Sequence, residues 1–447
     1  MNADTELENQ IDRWRGYVLR HQAIATTDAD EMEDHLRGQI ADLAAGGLDD
    51  DEAFLVAVKR MGRVDALSRE FAREHSDRLW KQLVLTAEPP DGLGRRRHEL
   101  SVVIGLVVAA AATVRIALEV MPELVLVRNA TLLVLPFLAV YFGWKRRISP
   151  RTAITVAAAF VATGLIVNIY PFVDDGPTQA IVAIHAPIVL WFLVGVTYVG
   201  GRWRSGPRRM DFIRFTGEWV VYATLLGLGA AVLTGLTAGA FSALGITVDT
   251  VISQWLAPIA ATGIVLLAAW LVEAKQSVVE NIAPVLTKVF TPVTAVMLIV
   301  LLVAMVTSGD VVDVDRELLI LIDLILVVVL GLLLYAISAR DPHQRPELFD
   351  RLQLVLVVTA LAVDAVMLTI MASRIAEFGF TANKTVALGL NLVLLVNLSW
   401  AAYLLFGFVR RRRGFDATER WQTDYLPAFG LWALAVVIAV PPLFDFA

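Results

Sequence analysis

A few ionisable and amide side chains interrupt long apolar runs in this 447-residue chain, and any chemistry would have to reside there. Arg115 and Glu119 stand four residues apart, a spacing that puts both on one helix face and lets them pair. Asn168, His185, Asp323, Asp364 and Arg374 each occupy an otherwise apolar stretch, and Asn391 and Asn397 add amides further on. An ionisable group in the middle of a membrane helix costs about 2.5–3.5 kcal/mol on insertion scales, so such residues are functional candidates by default. A carboxylate there can take a proton or a cation, and Arg115 or Arg374 can hold an anion. The bland alternative is a closed network in which Arg115 pairs with Asp364 or Asp323 and makes helix packing specific. Arg374, with Lys384, can also simply reach the interface along its own stem.

The elements that must position these groups follow from composition. Hydrophobic residues make up 57% of the chain and charged ones 18%, well outside the soluble globular range. Apolar runs long enough to span a bilayer, about 20 residues each, fall near 98–120, 127–144, 150–171, 179–200, 216–244, 251–273, 285–307, 317–338, 351–373, 385–408 and 424–444. Runs of this length without strand alternation are helices, because backbone polar groups inside a bilayer must be satisfied within the segment. The expected fold is therefore all-α: a polytopic helical membrane protein with about eleven transmembrane helices behind a small N-terminal cytosolic helical domain. The division is 1–85 for that domain, 86–97 for a basic linker and 98–447 for the membrane body.

Charge in the loops gives the orientation. Alternate connections carry Arg95 to Arg97, then Lys145, Arg146 and Arg147, then Arg202, Arg204, Arg208 and Arg209, then Lys275 and Lys288, then Arg340 and Arg345, and finally Arg410 to Arg413. The opposite loops hold few basic residues. By the positive-inside rule the N-terminus is cytosolic and the C-terminus outside. This frame puts Arg115, Asn168, His185, Asp323, Asp364 and Arg374 together in the outer half of the bilayer, and it puts Glu218, Glu273 and Lys288 near inner span ends. A shared depth suggests an outward-facing polar cavity.

Residues 1–85 read as four amphipathic helices. Leu7, Ile11, Trp14 and Val18 form one apolar stripe, and Met32, Leu36, Ile40 and Leu43 repeat it. The second helix opens after Asp28 with Glu31 three residues on and stops at Gly46-Gly47. The third opens at Asp49 with Glu52 at the same offset, runs through Phe54, Val58 and Met61, and ends at Gly62. Leu67, Phe71, Leu79 and Trp80 mark a fourth. His21, His35 and His75 are isolated surface residues. The runs Met32-Glu-Asp-His-Leu-Arg37, Gly47-Leu-Asp-Asp-Asp-Glu-Ala-Phe54, Val58-Lys-Arg-Met-Gly62 and Asp65-Ala-Leu-Ser-Arg-Glu-Phe71 resemble the bacterial permease prefix domain, with Arg63-Val64 replacing its usual acidic residue and proline. That resemblance implies a cytosolic accessory module on a multi-pass protein of the bacterial cytoplasmic membrane. In the membrane body, Ser373-Arg374-Ile-Ala-Glu377-Phe-Gly379-Phe-Thr381-Ala-Asn-Lys384 and Phe215-Thr-Gly-Glu218-Trp219 are similar to the family catalogued as domain of unknown function 4153, which implies a multispan fold and no established chemistry.

Several functions are unsupported by the residues. A net charge of −6 offers no electrostatic footprint for nucleic acid. With no cysteine, no zinc spacing, no phosphate loop and no nucleophile elbow, neither an enzyme nor a metal or organic cofactor is expected. Two readings remain. One is a permease-like transporter of a small solute or lipid. The other is a membrane sensor or regulatory subunit whose prefix engages a cytosolic protein partner. Lipid is the surrounding partner of the body in both.

Overall fold

The computed structural model describes residues 7–8, 10–12, 15, 26–60, 90–173, 176–274, 282–307, 316–340 and 344–447. Trp14, Val18, His21, Met61, Gly62, Leu67, Phe71, His75, Leu79 and Trp80 lie outside these residues, as does Lys275. The chain divides into two compact units, Met1–Arg95 and Arg96–Ala447.

In the first unit, α1 (Thr26–Ala45) and α2 (Asp50–Arg60) pack on each other. The turn between them needs Gly47 at φ +97°, a backbone region that a side chain would strain, and the Asp49 carboxylate accepts from the Asp50 amide at 3.0 Å. Leu36, Ile40, Ala53 and Ala57 form a small core with Ile11, joined by Leu7, Leu43, Leu48 and Phe54. Ile11, Leu36, Ile40, Leu7, Leu43 and Phe54 are apolar positions of the expected stripes; Ala53, Ala57 and Leu48 are not, because two alanines and a turn residue add no apolar period of their own. Above it, Arg37 forks between Glu8 (2.6 and 2.8 Å) and Glu33 (3.1 and 2.9 Å), and Arg15 reaches Glu33 at 2.5 Å.

The hydrogen bond from Arg37, with a further one from Arg15, holds the Glu33 carboxyl below its usual value of 4.5. A carboxylate whose folded value is lowered adds stability that is complete above the unfolded value and is lost as pH falls through the lowered one. Protection of residues 33–57 against hydrogen exchange, corrected for intrinsic rate, is therefore expected to fall as pH drops below about 4.5. Glu33→Gln should flatten that dependence in the full-length protein.

The second unit is a bundle of helices: α3 (Pro90–Val120), α4 (Glu123–Arg146), α5 (Pro150–Ile169), α6 (Pro177–Tyr198), α7 (Gly206–Ala243), α8 (Asp249–Ala274), α9 (Ile282–Thr307), α10 (Arg316–Ser338), α11 (Leu348–Phe378), α12 (Ala382–Val409) and α13 (Asp416–Leu443). Eleven helices of the described residues are long and apolar enough to cross a membrane, and each overlaps one of the eleven expected runs. The protein is a polytopic helical membrane protein. The largest differences are at helix starts that precede the apolar run: α7 and α13 begin at Gly206 and Asp416, ahead of the expected 216 and 424, and α3 begins at Pro90, inside the stretch read as a linker, whereas α5 and α6 stop at Ile169 and Tyr198, two residues short of the expected ends. A helix needs no apolar residues to continue into the interface, so hydropathy marks the buried part of a span and not its length.

Local chemistry sets the turns. Ser149 caps α5 by accepting from the Thr152 amide at 3.2 Å, with Pro150 following at the first helical position. Within α8, residues Ile252–Leu256 form a π turn. The interior packs α4 on α6, α6 on α13, α9 on α11, and α12 on both α11 and α13. At the arginine-rich end an ionic network ties three helices: Lys145 and Tyr141 on α4 reach Glu99 on α3, while Arg146 and Lys145 reach Glu273 on α8 at 2.8 and 3.2 Å. Glu273 is buried there, so this inner group is a helix clamp more than an interfacial charge.

Candidate functional site

The six candidate residues fall into separate contacts. Arg115 on α3 pairs with Glu119 one turn on, and its guanidinium lies 4.7 Å from the Trp255 ring centroid in the π turn of α8. The helix-face pairing read from the sequence is thus present, and the alternative pairing of Arg115 with Asp323 or Asp364 is replaced by this one. Asn168 on α5 and Asn129 on α4 exchange two side-chain hydrogen bonds of 2.8 Å, and each also donates to a carbonyl of its own helix. The His185 ring turns back on its own helix, 2.8 Å from the Ile181 carbonyl. Arg374 lies near the end of α11, where its carbonyl accepts from the Lys384 ammonium at 3.1 Å. The same ammonium reaches the Gly379 carbonyl, so Lys384 clips the α11–α12 turn.

The Asn129–Asn168 exchange reads as packing glue. Interhelical amide bonds in membranes contribute about 1 kcal/mol. Asn168→Ala is expected to lower stability by about that much, and the Asn129→Ala/Asn168→Ala pair by little more than either alone. Thermal unfolding in detergent, analysed as a double-mutant cycle, checks the coupling.

Asp323 and Asp364 are different. They stand on α10 and α11, two helices that pack on each other. A third helix completes the group: Asn391 on α12 donates its amide to Asp323 at 2.9 Å and to the Ala387 carbonyl at 2.9 Å, with Met371 Sδ at 3.7 Å. Helices α10, α11 and α12 pack on one another, which is what brings residues 68 positions apart in sequence into contact. Asp364 is 0% exposed and lies near the middle of α11. Neither of its oxygens has a hydrogen-bond partner, and the Asn391 carbonyl oxygen is likewise buried without one.

That arrangement is chemically expensive. Buried polar groups are nearly always hydrogen-bonded, and an isolated carboxylate in apolar surroundings costs many kcal/mol unless a proton or a counter-charge neutralises it. The orientation of the Asn391 amide is not arbitrary either. Flipping it would turn its oxygen toward the Asp323 carboxylate and lose the 2.9 Å donation. The orphaned atoms are thus one amide oxygen and the two oxygens of a carboxyl group, which only accepts when ionised and has one O–H to donate when protonated. No family model, curated protein or solved structure matches this chain, so the site rests on its own geometry.

Asn391 is the member that hydropathy reading leaves out of the candidate group, although it was visible as a polar interruption. An Asn is too cheap inside a span to stand out. Its position about ten residues into α12 matches the depth of Asp323, about eight residues into α10, and that coincidence of depth was the available signal. Away from this cluster, a cavity of about 260 Å³ lined by Arg146, Arg208, Asp211, Arg214 and Glu218 opens at the arginine-rich end. An apolar cleft of about 440 Å³ lies between α7 and α10, where Gly217 lets the Tyr335 ring approach.

Proposed function

We propose that this membrane protein is a permease-like transporter of a small solute or lipid, with the Asp323–Asp364–Asn391 cluster as its binding or coupling site. The single observation behind this reading is Asp364, a fully buried carboxylate in the middle of a spanning helix with two unpartnered oxygens. A residue kept only for stability is poorly served by that environment, since replacing buried charge by apolar groups is commonly neutral or stabilising. Transporters place substrate and coupling-ion sites near the bilayer midplane, at helix interfaces, and Asp364 occupies that depth. The separate contacts of Arg115, Asn168 and His185 support structural roles for those three.

Native mass spectrometry of gently purified protein tests the reading, with Asp364→Asn beside wild type and Arg115→Ala as a comparison. A small molecule or lipid retained by wild type and by Arg115→Ala, and lost in Asp364→Asn, supports an occupied site at the cluster. Bare protein in all three samples, equally well folded, counts against the transporter reading and in favour of a purely structural network.

A further inference from the structure

We propose that Asp364 holds a proton at neutral pH and stands in the middle of α11 as an uncharged carboxylic acid. As a coupling ion the proton rests on the transporter reading; its place on Asp364 rests only on the burial and the neighbours of one side chain.

Asp364 is 0% exposed, and among the described residues neither of its oxygens has a hydrogen-bond partner. Helices α9, α10 and α12 pack on α11, so a counter-charge has to come from them or from α11 itself. The ionisable residues of the packed helices are Lys288 on α9, Arg316, Glu317, Asp323 and Tyr335 on α10, and Lys384 and Tyr403 on α12. On α11 itself they are Asp350, Arg351, Arg374 and Glu377. All of these except Asp323 lie within about two turns of a helix end, whereas Asp364 lies near the middle of a 31-residue helix. Every basic side chain on these helices thus belongs to a helix end, and the one other ionisable group away from the ends is itself an acid. Asp323 has a donor, the Asn391 amide at 2.9 Å. Asp364 has none.

Magnitudes decide how the charge is removed. An ordinary aspartate at pH 7 is protonated in about one molecule in a thousand. Taking up a proton against that bias is the smaller penalty. An ionised carboxylate in a dry apolar site, with neither donor nor cation, costs more, and fully buried acids accordingly stay protonated past neutrality. A proton also suits the space, since it needs no coordination shell. The resulting O–H can turn to a carbonyl of its own helix, as the Thr359 and Thr369 hydroxyls do on α11, donating to Val355 and Ala365 at 2.9 Å each. Release breaks the O–H bond, leaves its electron pair on the carboxylate oxygen and hands the proton to water. It therefore requires a conformation in which water reaches Asp364.

Infrared difference spectroscopy of full-length protein in detergent at neutral pH is the test. Wild type minus Asp364→Asn is expected to show the carbonyl stretch of a carboxylic acid and no carboxylate band. Asp364→Leu, equally free of an acid, should give the same band and serves where the amide perturbs folding. Asp323→Asn should keep the band. A carboxylate band in its place, or an acid band lost in Asp323→Asn and kept in Asp364→Asn, overturns the proposal. Stability supplies a second measurement. A folded state that holds one proton more than the unfolded one gains as pH falls, so the unfolding constants of wild type and Asp364→Asn should shift in favour of wild type by about tenfold per pH unit from neutrality to about pH 5. A ratio that stays constant over that range also overturns the proposal. An acid band at Asp364 in a protein that retains no molecule in native mass spectrometry leaves the proton in place and removes the transporter reading. A carboxylate band, with a retained molecule lost in Asp364→Asn, does the reverse.

Discussion

Asp364→Asn is expected to make the protein more stable. The carboxylate is 0% exposed, with no hydrogen bond to either oxygen. Burying a polar group without a partner costs roughly 1–3 kcal/mol on mutational evidence, and a charged one more. An amide of nearly the same shape carries no charge. A gain of about 1–3 kcal/mol follows, read as a higher melting temperature in detergent. A drop in stability instead would mean that the carboxylate has a structural partner, and the cluster would then be packing. Stability and function pulling in opposite directions at one residue is the usual mark of a site kept for its chemistry.

Gly389→Ala is expected to disrupt the seam between α12 and α13. A Cβ built at Gly389 would sit 1.9 Å from Cη2 of Trp432 and 2.2 Å from Cζ2, distances no pair of carbon atoms tolerates. The indole is large and stiff, with only two side-chain torsions, so either the ring leaves its place or the helices separate. Overpacking of this kind costs about 1–3 kcal/mol and sometimes more, and valine should be worse than alanine. Trp432→Ala should rescue much of the loss, a coupling that a double-mutant cycle would expose. Gly239→Ala is the control: nothing lies within 4 Å of its Cβ position, and alanine favours the helix, so stability should hold or rise slightly. Expression and monodispersity on gel filtration give the first readout, and thermal unfolding gives the size. Equal behaviour of the two alanine variants would mean that the seam is softer than its geometry.

The legibility of this chain from sequence was uneven, for reasons that particular residues show. Leu36 and Ile40 were placed in the prefix core by spacing alone, because amphipathic period and burial are the same fact seen along one helix. Every span was legible likewise, since membrane insertion is decided locally by about twenty apolar residues. Arg115 with Glu119 was readable too, being a contact within one helix. Glu273 was not. Its partners Arg146 and Lys145 lie on α4, 127 residues away for the hydrogen-bonded Arg146, and nothing local announces that α4 and α8 meet.

Fold class, the number of spans and the list of polar interruptions are legible from residues alone, since all of them depend on how single segments partition between water and hydrocarbon. The residues give six candidates a common depth and no means of telling which of them touch. The tertiary structure adds that Arg115 lies on Trp255, that Asn168 pairs with Asn129, that Asn391 donates to Asp323, and that Asp364 is buried with no hydrogen-bond donor beside it. Inside a bilayer the outsides of all apolar helices are chemically alike, so hydropathy cannot choose neighbours. Side-chain shape and a few polar contacts make that choice, and they act between segments far apart along the chain.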